Sequence, residues 1–302
     1  MTVEVDGRRL SLSNLDKVLY PETGFTKGEV IDYYARIAPV VLPHLAARPM
    51  SFKRYPDGVE SQGFFAKNAP PGTPDWVRTV RLPVPGSSKD RETIDYVVVD
   101  DISTLIWAAN LAGLELHVPQ WTIGPRGAVR AVDRLVLDLD PGPPATVVEC
   151  SRVAVMLRDL VAEDGLAAYA KTSGSKGMQV SAAVTDATAE QASDYAHELA
   201  KRLEAEYPEL VVSRMAKNLR PGKVFVDWSQ NNSAKTTVAP YSLRARAEHW
   251  VSTPVTWDEV ESAREVADLR FRAPDTLQRA DDLGDLWAPL LDGGARLPKR
   301  PA

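Results

Sequence analysis

One run, Arg134-Leu-Val-Leu-Asp-Leu-Asp-Pro-Gly142, constrains the fold of this chain most. Its leucines alternate with other residues, which predicts a β-strand with one face in the core. Side chains two apart on a strand point the same way, so Asp138 and Asp140 should project together from the other face. The strand should end at Pro141-Gly142. Two such close carboxylates repel each other unless one stays protonated or a divalent cation neutralises them.

Hard oxygen ligands at a strand end suit Mg²⁺ or Mn²⁺, which proteins usually bind together with substrate phosphates. An isolated pair of this kind is more often two solvated surface acids. The residues further along the chain are what favour a metal site.

The charge of the chain is unevenly distributed. Its net charge of −5 alone argues against a partner made of phosphates. However, residues 210–246 carry seven basic side chains against a single acid, Asp227, whereas residues 251–295 carry ten acids against four arginines. This pattern predicts a local positive surface for a polyanion, with a basic face that binds nothing as the alternative.

Composition excludes several classes of protein. The single cysteine, Cys150, rules out an internal disulfide and a cysteine-based zinc site, and we expect it to be a buried helix residue. No apolar stretch approaches the roughly 20 residues that span a bilayer. The acidic N-terminus does not resemble a secretory signal. We therefore expect a cytoplasmic protein that does not bind membranes.

Periodicity and capping residues predict three long helices, and short apolar runs between them predict strands. The helices run from Lys27 to Leu45 after Thr26, from Thr146 to Glu163, and from Thr188 to Glu206. Loops are expected over Pro56 to Pro74, a weak helix near Trp257 to Leu269, and a frayed end over Pro298 to Ala302. Adjacent strands between helices favour an α+β fold, in which mixed sheets flanked by helices form two lobes around a central cleft. We predict a single catalytic domain over residues 1–302, with an N-terminal lobe of about 1–130 and a catalytic lobe of about 131–302.

A glycine-serine turn, Lys171-Thr-Ser-Gly-Ser-Lys-Gly177, lies between two predicted strands. Its glycines let the backbone approach a ligand, and Ser173, Lys176 and exposed N–H groups could bind an anion. The spacing is not that of the Walker phosphate loop, and no helix follows. An ordinary hairpin turn is the alternative.

A third carboxylate, Asp227, is predicted at the end of the strand Val224-Phe-Val-Asp-Trp228. Together with the first pair it would complete a two-metal centre for phosphoryl transfer, although alone it could simply cap a strand. The segment continues with Gln230, Arg244 and Arg246, and guanidinium forks suit phosphate oxygens. The two arginines would share a face if the chain there were extended.

Other polar and aromatic residues could belong to the same site. His117 should share the polar face of its strand with Glu115, where a lone histidine is more often structural. Lys53 lies in a run that mixes charge and aromatics. The neighbouring Phe64 and Phe65 could stack on a base, although one of such a pair often packs inward.

Together these motifs resemble the polymerase domain of bacterial ATP-dependent ligase D, within the archaeo-eukaryotic primase superfamily. The similarity is greatest to stand-alone primase-polymerases like those associated with ligase C. The motifs are Asn14-Leu-Asp-Lys-Val-Leu-Tyr-Pro21, Glu115-Leu-His-Val-Pro-Gln-Trp121, Leu137-Asp-Leu-Asp-Pro-Gly142, Thr172-Ser-Gly-Ser-Lys-Gly177 and Val224-Phe-Val-Asp-Trp-Ser-Gln-Asn231, continuing through Lys235 to Arg246.

The resemblance implies a role for each matching residue. Asp138 and Asp140 would hold two Mn²⁺ or Mg²⁺ ions, and Asp227 would complete the site that activates the primer 3′-hydroxyl. Residues implied to bind the triphosphate and ribose are His117, Ser173, Lys176, Gln230, Arg244 and Arg246. Lys53 would lie near the nucleotide, and Phe65 with Phe64 would stack on a base. Lys17 and Lys27 would bind the 5′-phosphate downstream of a gap. Gln179 departs from the family, since many relatives have histidine there.

The implied function is a template-directed primase-polymerase that fills short gaps and extends broken ends in repair, with a preference for ribonucleotides. Its implied partners are gapped or broken DNA with a 5′-phosphate, NTP or dNTP, a separate ATP-dependent ligase and an end-binding protein, and it would act as a monomer at the nucleoid. A non-catalytic DNA-end adaptor is the alternative function. A metal-dependent phosphoesterase is disfavoured, because the four histidines form no cluster in the sequence.

Overall fold

The computed structural model describes residues 1–84, 92–298 and 301. In chain order its helices are α1 (Lys27–Leu45), α2 (Ile102–Asn110), α3 (Val147–Glu163), α4 (Ala189–Glu206), α5 (Trp257–Ser262) and α6 (Ala273–Leu283). Its strands are β1 (Thr2–Val5), β2 (Arg8–Ser11), β3 (Val18–Tyr20), β4 (Phe25–Thr26), β5 (Pro49–Arg54), β6 (Phe64–Ala66), β7 (Thr79–Pro83), β8 (Thr93–Val98), β9 (Gly113–Val118), β10 (Trp121–Ile123), β11 (Val129–Pro141), β12 (Ala168–Thr172), β13 (Met178–Ala187), β14 (Val211–Val212), β15 (Val224–Asp227), β16 (Thr237–Val238), β17 (Pro254–Val255) and β18 (Ala295–Arg296).

The three long helices begin where the capping residues predicted. Each N-cap threonine, namely Thr26, Thr146 and Thr188, accepts a backbone hydrogen bond, and the Glu or Gln three residues later bonds back to the cap. This reciprocal arrangement satisfies N–H groups that the first helical turn leaves without partners. The predicted bounds of α1, α3 and α4 are confirmed.

Two sheets organise the chain. The first has the order β16-β9-β5-β8-β7, with β6 paired to β5. The second has the order β14-β15-β11-β13-β12-β17, with β10 on β11 and β18 on β13. Most pairs are antiparallel, but β14–β15 and β13–β18 are parallel. The predicted α+β fold with mixed sheets is confirmed.

Each sheet is accompanied by its own hydrophobic core. One core joins α1 and α2 to strands of the first sheet, and the other joins α3 and α4 to β11 and β13. Cys150 lies fully buried in the second core, as predicted. Tyr241 and Leu243 belong to the first core, so the chain returns to that core after most of the second sheet. The predicted lobe boundary near residue 130 therefore does not assign every later residue to the second core.

The central strand β11 has the predicted pattern. Leu135, Leu137 and Leu139 are at most 1% exposed, and β11 ends at Pro141. At Gly142 a Cβ atom would lie 2.0 Å from the carbonyl oxygen of Arg220, so any larger residue would displace the backbone. Backbone hydrogen bonds from Gly142 to Lys223 and from Gly222 to Gly142 hold the segment before β15 against the end of β11.

Two local predictions are wrong. The loop expected over Pro56 to Pro74 contains the short strand β6, because Phe64–Ala66 finds hydrogen-bond partners on β5. The helix expected over Trp257 to Leu269 divides into α5 and a 3₁₀ turn at Val266–Leu269. The guanidinium of Arg264 binds the carbonyls of Glu261 and Ala263, which stabilises the break.

The frayed C-terminus falls mostly on residues 299, 300 and 302, which lie outside the described residues. Among the helices in the described ranges, none has the combination of length and apolarity that crossing a bilayer requires.

Candidate active site

Three carboxylates converge where β11 and β15 run side by side. Asp138 pairs directly with Asp227 across these antiparallel strands, and Asp140 projects two residues further along β11. One oxygen from each carboxylate lies within 4.8 Å of those of the other two. A set of hard oxygen donors at this spacing could hold a divalent cation.

The acids are electrostatically unfavourable without a cation. Burial, followed by the charge of Asp140, raises the pKa of Asp138 to about 7. Burial and the charge of Asp227 also raise the pKa of Asp140, while Arg220, Arg244 and Lys176 partly offset the rise. A bound divalent cation would remove the repulsion and favour the ionised acids.

A short turn after β15 holds Asp227 in place. The backbone N–H of Ser229 donates to one carboxylate oxygen at 3.1 Å, and Nε2 of Gln230 donates to the other at 2.8 Å. Lys235 contacts the hydroxyl of Ser229, and Asn231 bonds both backbone groups of Val136 on β11. Gln230 therefore lies at the carboxylate cluster, and its contact there is with an acid.

The glycine-serine turn packs against the carboxylate strand. The hydroxyl of Ser173 accepts hydrogen bonds from the backbone N–H groups of Ser175 at 3.2 Å and Gly177 at 3.1 Å, while Lys176 is exposed. A Cβ atom on Gly177 would lie 1.9 Å from the carbonyl oxygen of Leu139, between the two acids of β11. The turn is thus held directly beside the acids and presents a lysine to solvent.

Arg244 links this turn to the first sheet. Its Nη1 donates to the carbonyl of Ser173 at 2.6 Å, and its Nε lies 3.4 Å from Glu115 on β9. Arg246 is exposed, and its N–H bonds the carbonyl of Arg244 at 3.0 Å. Because this bond folds the backbone, the extended segment considered for the two arginines does not form.

Strands β5, β6 and β9 bring the remaining nucleotide candidates together. Nε2 of His117 lies 2.9 Å from Glu115, so the two share a face as predicted. The ring of Phe65 meets His117 edge-on at 5.3 Å, and Nζ of Lys53 lies 5.8 Å from the Phe65 centroid. Phe64 and Phe65 are 47% and 51% exposed, so the alternative in which one packs inward is wrong.

Lys17 and Lys27 form a separate basic group. Lys27 is only 6% exposed, and its Nζ donates to the carbonyl of Ser13 at 2.7 Å. Lys17 is more exposed and pairs with Asp57 at 2.8 Å. Burial lowers the pKa of Lys27, and the nearby charges of Lys17 and Arg54 lower it further. Mutual repulsion of this kind is typical of sites that bind an anion.

Two residues contact the acids in ways that the sequence did not predict. Gln179 is paired with Asp138 across β13 and β11, and its amide donates to that carboxylate at 2.9 Å. Arg220, whose guanidinium lies 3.8 Å from the Phe225 ring, brings a charge close to Asp140. The excess of basic residues over 210–246 pointed to this region, but neither contact could be read from spacing.

An acidic triad that could hold a metal ion, beside a glycine-containing turn with an exposed lysine, is the arrangement expected of a nucleotidyltransferase. The chain belongs to the family of the LigD primase-polymerase domain, whose family model matches residues 26–287.

Known proteins of this family are similar over nearly the whole chain. The multifunctional non-homologous end joining protein LigD of Mycolicibacterium smegmatis is 44% identical over 286 residues, covering 93% of this chain and 36% of that protein. The bifunctional LigD of Bacillus subtilis is 32% identical over 258 residues, covering 84% of this chain and 40% of that protein. This chain thus spans little more than a third of the curated relatives it matches.

The fold also agrees with a solved structure, the polymerase domain from Mycobacterium tuberculosis ligase D in complex with DNA. The two share 40% sequence identity and superpose with a TM-score of 0.87, covering 95% of this chain and 99% of that one. The fold expected from the sequence motifs is therefore confirmed.

Proposed function

We propose that this chain is a template-directed primase-polymerase that fills short gaps and extends broken DNA ends during repair, with a preference for ribonucleotides. The observation that carries the proposal is the convergence of Asp138, Asp140 and Asp227 within 4.8 Å beside a turn that presents Lys176. Nucleotidyl transfer needs this combination, because positioning and charge neutralisation provide most of its catalysis.

Two Mg²⁺ or Mn²⁺ ions, when bound, would lower the pKa of the primer 3′-hydroxyl and neutralise charge on the triphosphate. Asp138 and Asp140 would hold both ions, and Asp227 would complete the site nearer the primer. The hydrogen bonds from Ser229 and Gln230 fix the Asp227 carboxylate in direction. The remaining contacts with triphosphate and ribose would come from His117, Ser173, Lys176, Gln230, Arg244 and Arg246.

The exposed aromatic rings suit the base of a nucleotide. Phe64 and Phe65 would stack on an incoming or templating base, a contact worth about 1–3 kcal/mol per base. Lys53 reaches over the Phe65 ring and would meet the same nucleotide. Lys17 and Lys27 would bind the 5′-phosphate on the far side of a gap. A separate ATP-dependent ligase and an end-binding protein would then complete the repair.

A one-nucleotide gap with a templating adenine tests the proposed activity. Labelled UTP and dTTP are supplied in turn with Mg²⁺ or Mn²⁺, with and without a downstream 5′-phosphate. The wild-type chain should incorporate both, and UTP more efficiently. The Asp138→Asn variant should lose at least about a thousandfold in rate while retaining DNA binding, because it removes a ligand to both ions. DNA binding without metal-dependent incorporation by the wild type would instead indicate an end-binding adaptor.

Lys27→Met tests the phosphate site and preserves most of the side-chain packing. We expect weaker binding, by about tenfold, only on gaps that carry the downstream 5′-phosphate, because one charge-assisted contact is lost. Lys201→Met, on the exposed face of α4 where the lysine pairs with Glu198, is the matched control. An equal loss by Lys27→Met on unphosphorylated gaps would show a general electrostatic role.

A further inference from the structure

A buried carboxylate, Glu115, lies among the candidate nucleotide-binding residues. Glu115 lies on strand β9 and is only 2% exposed. One oxygen accepts from Nε2 of His117 at 2.9 Å, and the other accepts from the backbone N–H of Ala245 at 3.1 Å. That second oxygen also lies 3.4 Å from Nε of Arg244. Lys53 is its direct neighbour across β5 and β9.

Glu115 is ionised over the whole working range of pH. Burial alone would raise its pKa, but the hydrogen bond from His117 and the charge of Arg244 lower the pKa to about 2. An ionised carboxylate can only accept hydrogen bonds. Nε2 of His117 therefore carries a proton, and Nδ1 of the neutral ring can only accept a hydrogen bond, as from a ribose hydroxyl.

The same carboxylate also acts on Arg244. Nε of this arginine lies 3.4 Å from Glu115 as an ion pair without a hydrogen bond, and Nη1 donates to the carbonyl of Ser173. Nη2 and the second N–H of Nη1 are left to meet a phosphate oxygen. Gly174 adds a steric constraint, because a Cβ there would lie 2.7 Å from Cγ of Arg244. Glu115 and Ser173 thus hold the guanidinium between the first sheet and the glycine-serine turn.

Without Glu115 the cations would not be expected to keep this arrangement. Lys53, Arg244 and any protonated His117 repel one another, and burial strengthens that repulsion. A carboxylate at their centre offsets it and fixes their geometry before the triphosphate arrives.

We propose that Glu115 is a positioning residue for the nucleoside triphosphate. It orients Arg244 and His117, which would contact the nucleotide, and it does not contact the metal ions. This inference rests on the proposed function, since it assigns a role within the same site. It separates Glu115 from the three metal-binding acids, which contact the reacting groups through the ions.

The test compares Glu115→Gln with Glu259→Gln. Glu259 is a matched control on α5, because it also accepts from an arginine, Arg279, and from a backbone N–H, that of Thr256. KM and kcat for UTP are measured on the gapped substrate, and thermal unfolding of each variant is followed in parallel. Glu115→Gln should raise KM about tenfold with kcat within about threefold, since the loss falls on ground-state binding of the nucleotide. Glu259→Gln should change neither constant.

A mutant cycle separates positioning from a structural role. In an Arg244→Met background the further effect of Glu115→Gln should be less than about threefold, because the residue it positions is gone. Glu115→Asp keeps the charge and should recover part of the lost affinity. An unchanged or lower KM, additive effects in the cycle, or equal behaviour of the Asp and Gln variants would each overturn the inference.

Equilibrium binding of a fluorescent UTP analogue with Mn²⁺ keeps the two proposals apart. Failure of the wild type to incorporate UTP would contradict the proposed function, while weaker binding by Glu115→Gln would still support the positioning role. Incorporation by the wild type together with equal nucleotide binding by both proteins would overturn the positioning role alone.

Discussion

Gln179 shows how a single residue can tune the carboxylate cluster. Its amide donates to Asp138, whose pKa is raised to about 7 by burial and by Asp140. That hydrogen bond favours the ionised carboxylate, which is the form that binds a metal ion. The departure from the family's histidine was recognised in the sequence, whereas the contact with Asp138 emerged only from the pairing of β11 and β13.

Substitution of Gln179 should change metal use more than turnover. Gln179→Leu removes the hydrogen bond and should weaken the apparent affinity for Mg²⁺ and Mn²⁺ by about tenfold at pH 7.5. Gln179→His keeps a hydrogen-bond donor at this position. It should therefore change the affinities for Mg²⁺ and Mn²⁺ less than Gln179→Leu does, and kcat should be retained. Metal titrations of UTP incorporation measure this, with Gln278→His on the exposed side of α6 as control. Identical kinetics on both metals for wild type and both Gln179 variants would disprove the idea.

The β11 strand and the glycine-serine turn work as one structural unit. The turn approaches β11 so closely that Gly177 has no room for a side chain, and its Cβ would overlap the carbonyl oxygen of Leu139 at 1.9 Å. Since Leu139 lies between Asp138 and Asp140, any displacement of this carbonyl moves both acids.

Gly177→Ala should therefore affect stability and activity together. Overpacking of this kind costs about 1–3 kcal/mol, and the shift of β11 should reduce incorporation more than tenfold. The free energy of unfolding from urea titration and kcat on the gapped substrate measure the two effects. Gly124→Ala is the matched control, because its nearest neighbour would lie at an ordinary 3.7 Å. A Gly177→Ala variant as stable and active as Gly124→Ala would contradict the close packing.

The secondary-structure elements that the sequence predicted best are those determined by interactions between neighbouring residues. Threonine caps with a following Glu or Gln specified α1, α3 and α4, because each box is satisfied within four residues. Strands such as β6 and β14 depend on partners distant in sequence, and two or three residues carry no periodicity of their own. α6 was not predicted because its apolar side is narrow and Arg272, at its N-cap, has no side-chain acceptor. Its start is capped instead by Asp275, whose carboxylate accepts from the backbone N–H of Arg272.

The assembly of the whole molecule could not be predicted from spacing. Asp227 meets Asp138 only because β15 lies beside β11. Arg244 reaches the glycine-serine turn only because the chain returns to the first core at Tyr241 and Leu243. The sequence motifs predicted the candidate residues, and the resemblance to a family implied their roles. The contacts that hold these residues, such as those of Glu115, follow from tertiary packing alone.

His44 lies at a junction between the two cores and links folding to pH. It is fully buried at the end of α1, where its Nε2 contacts Asp285 at 2.8 Å and its Nδ1 lies 3.4 Å from Arg134 on β11. Burial lowers the pKa of His44, although the bond to Asp285 partly opposes the shift. A histidine whose pKa is lower in the folded state stabilises the fold above its unfolded pKa of about 6.5, and this contribution is lost as the pH falls.

His44→Gln should lower stability by about 1–3 kcal/mol at pH 7.5, because it disturbs buried hydrogen bonds. Its unfolding temperature should fall less than that of the wild type between pH 7.5 and 5.5, since the variant no longer takes up this proton on unfolding. Thermal unfolding of both proteins in the presence of a chelator measures this difference. The titration of the carboxylate cluster is common to both proteins, so it cancels when they are compared. His197→Gln, at a more exposed histidine that stacks on Trp228, should retain most of the wild-type pH dependence. If His44→Gln kept the full wild-type slope, the proton would have to be taken up elsewhere, and the junction between the cores would not be the pH-sensitive part of the fold.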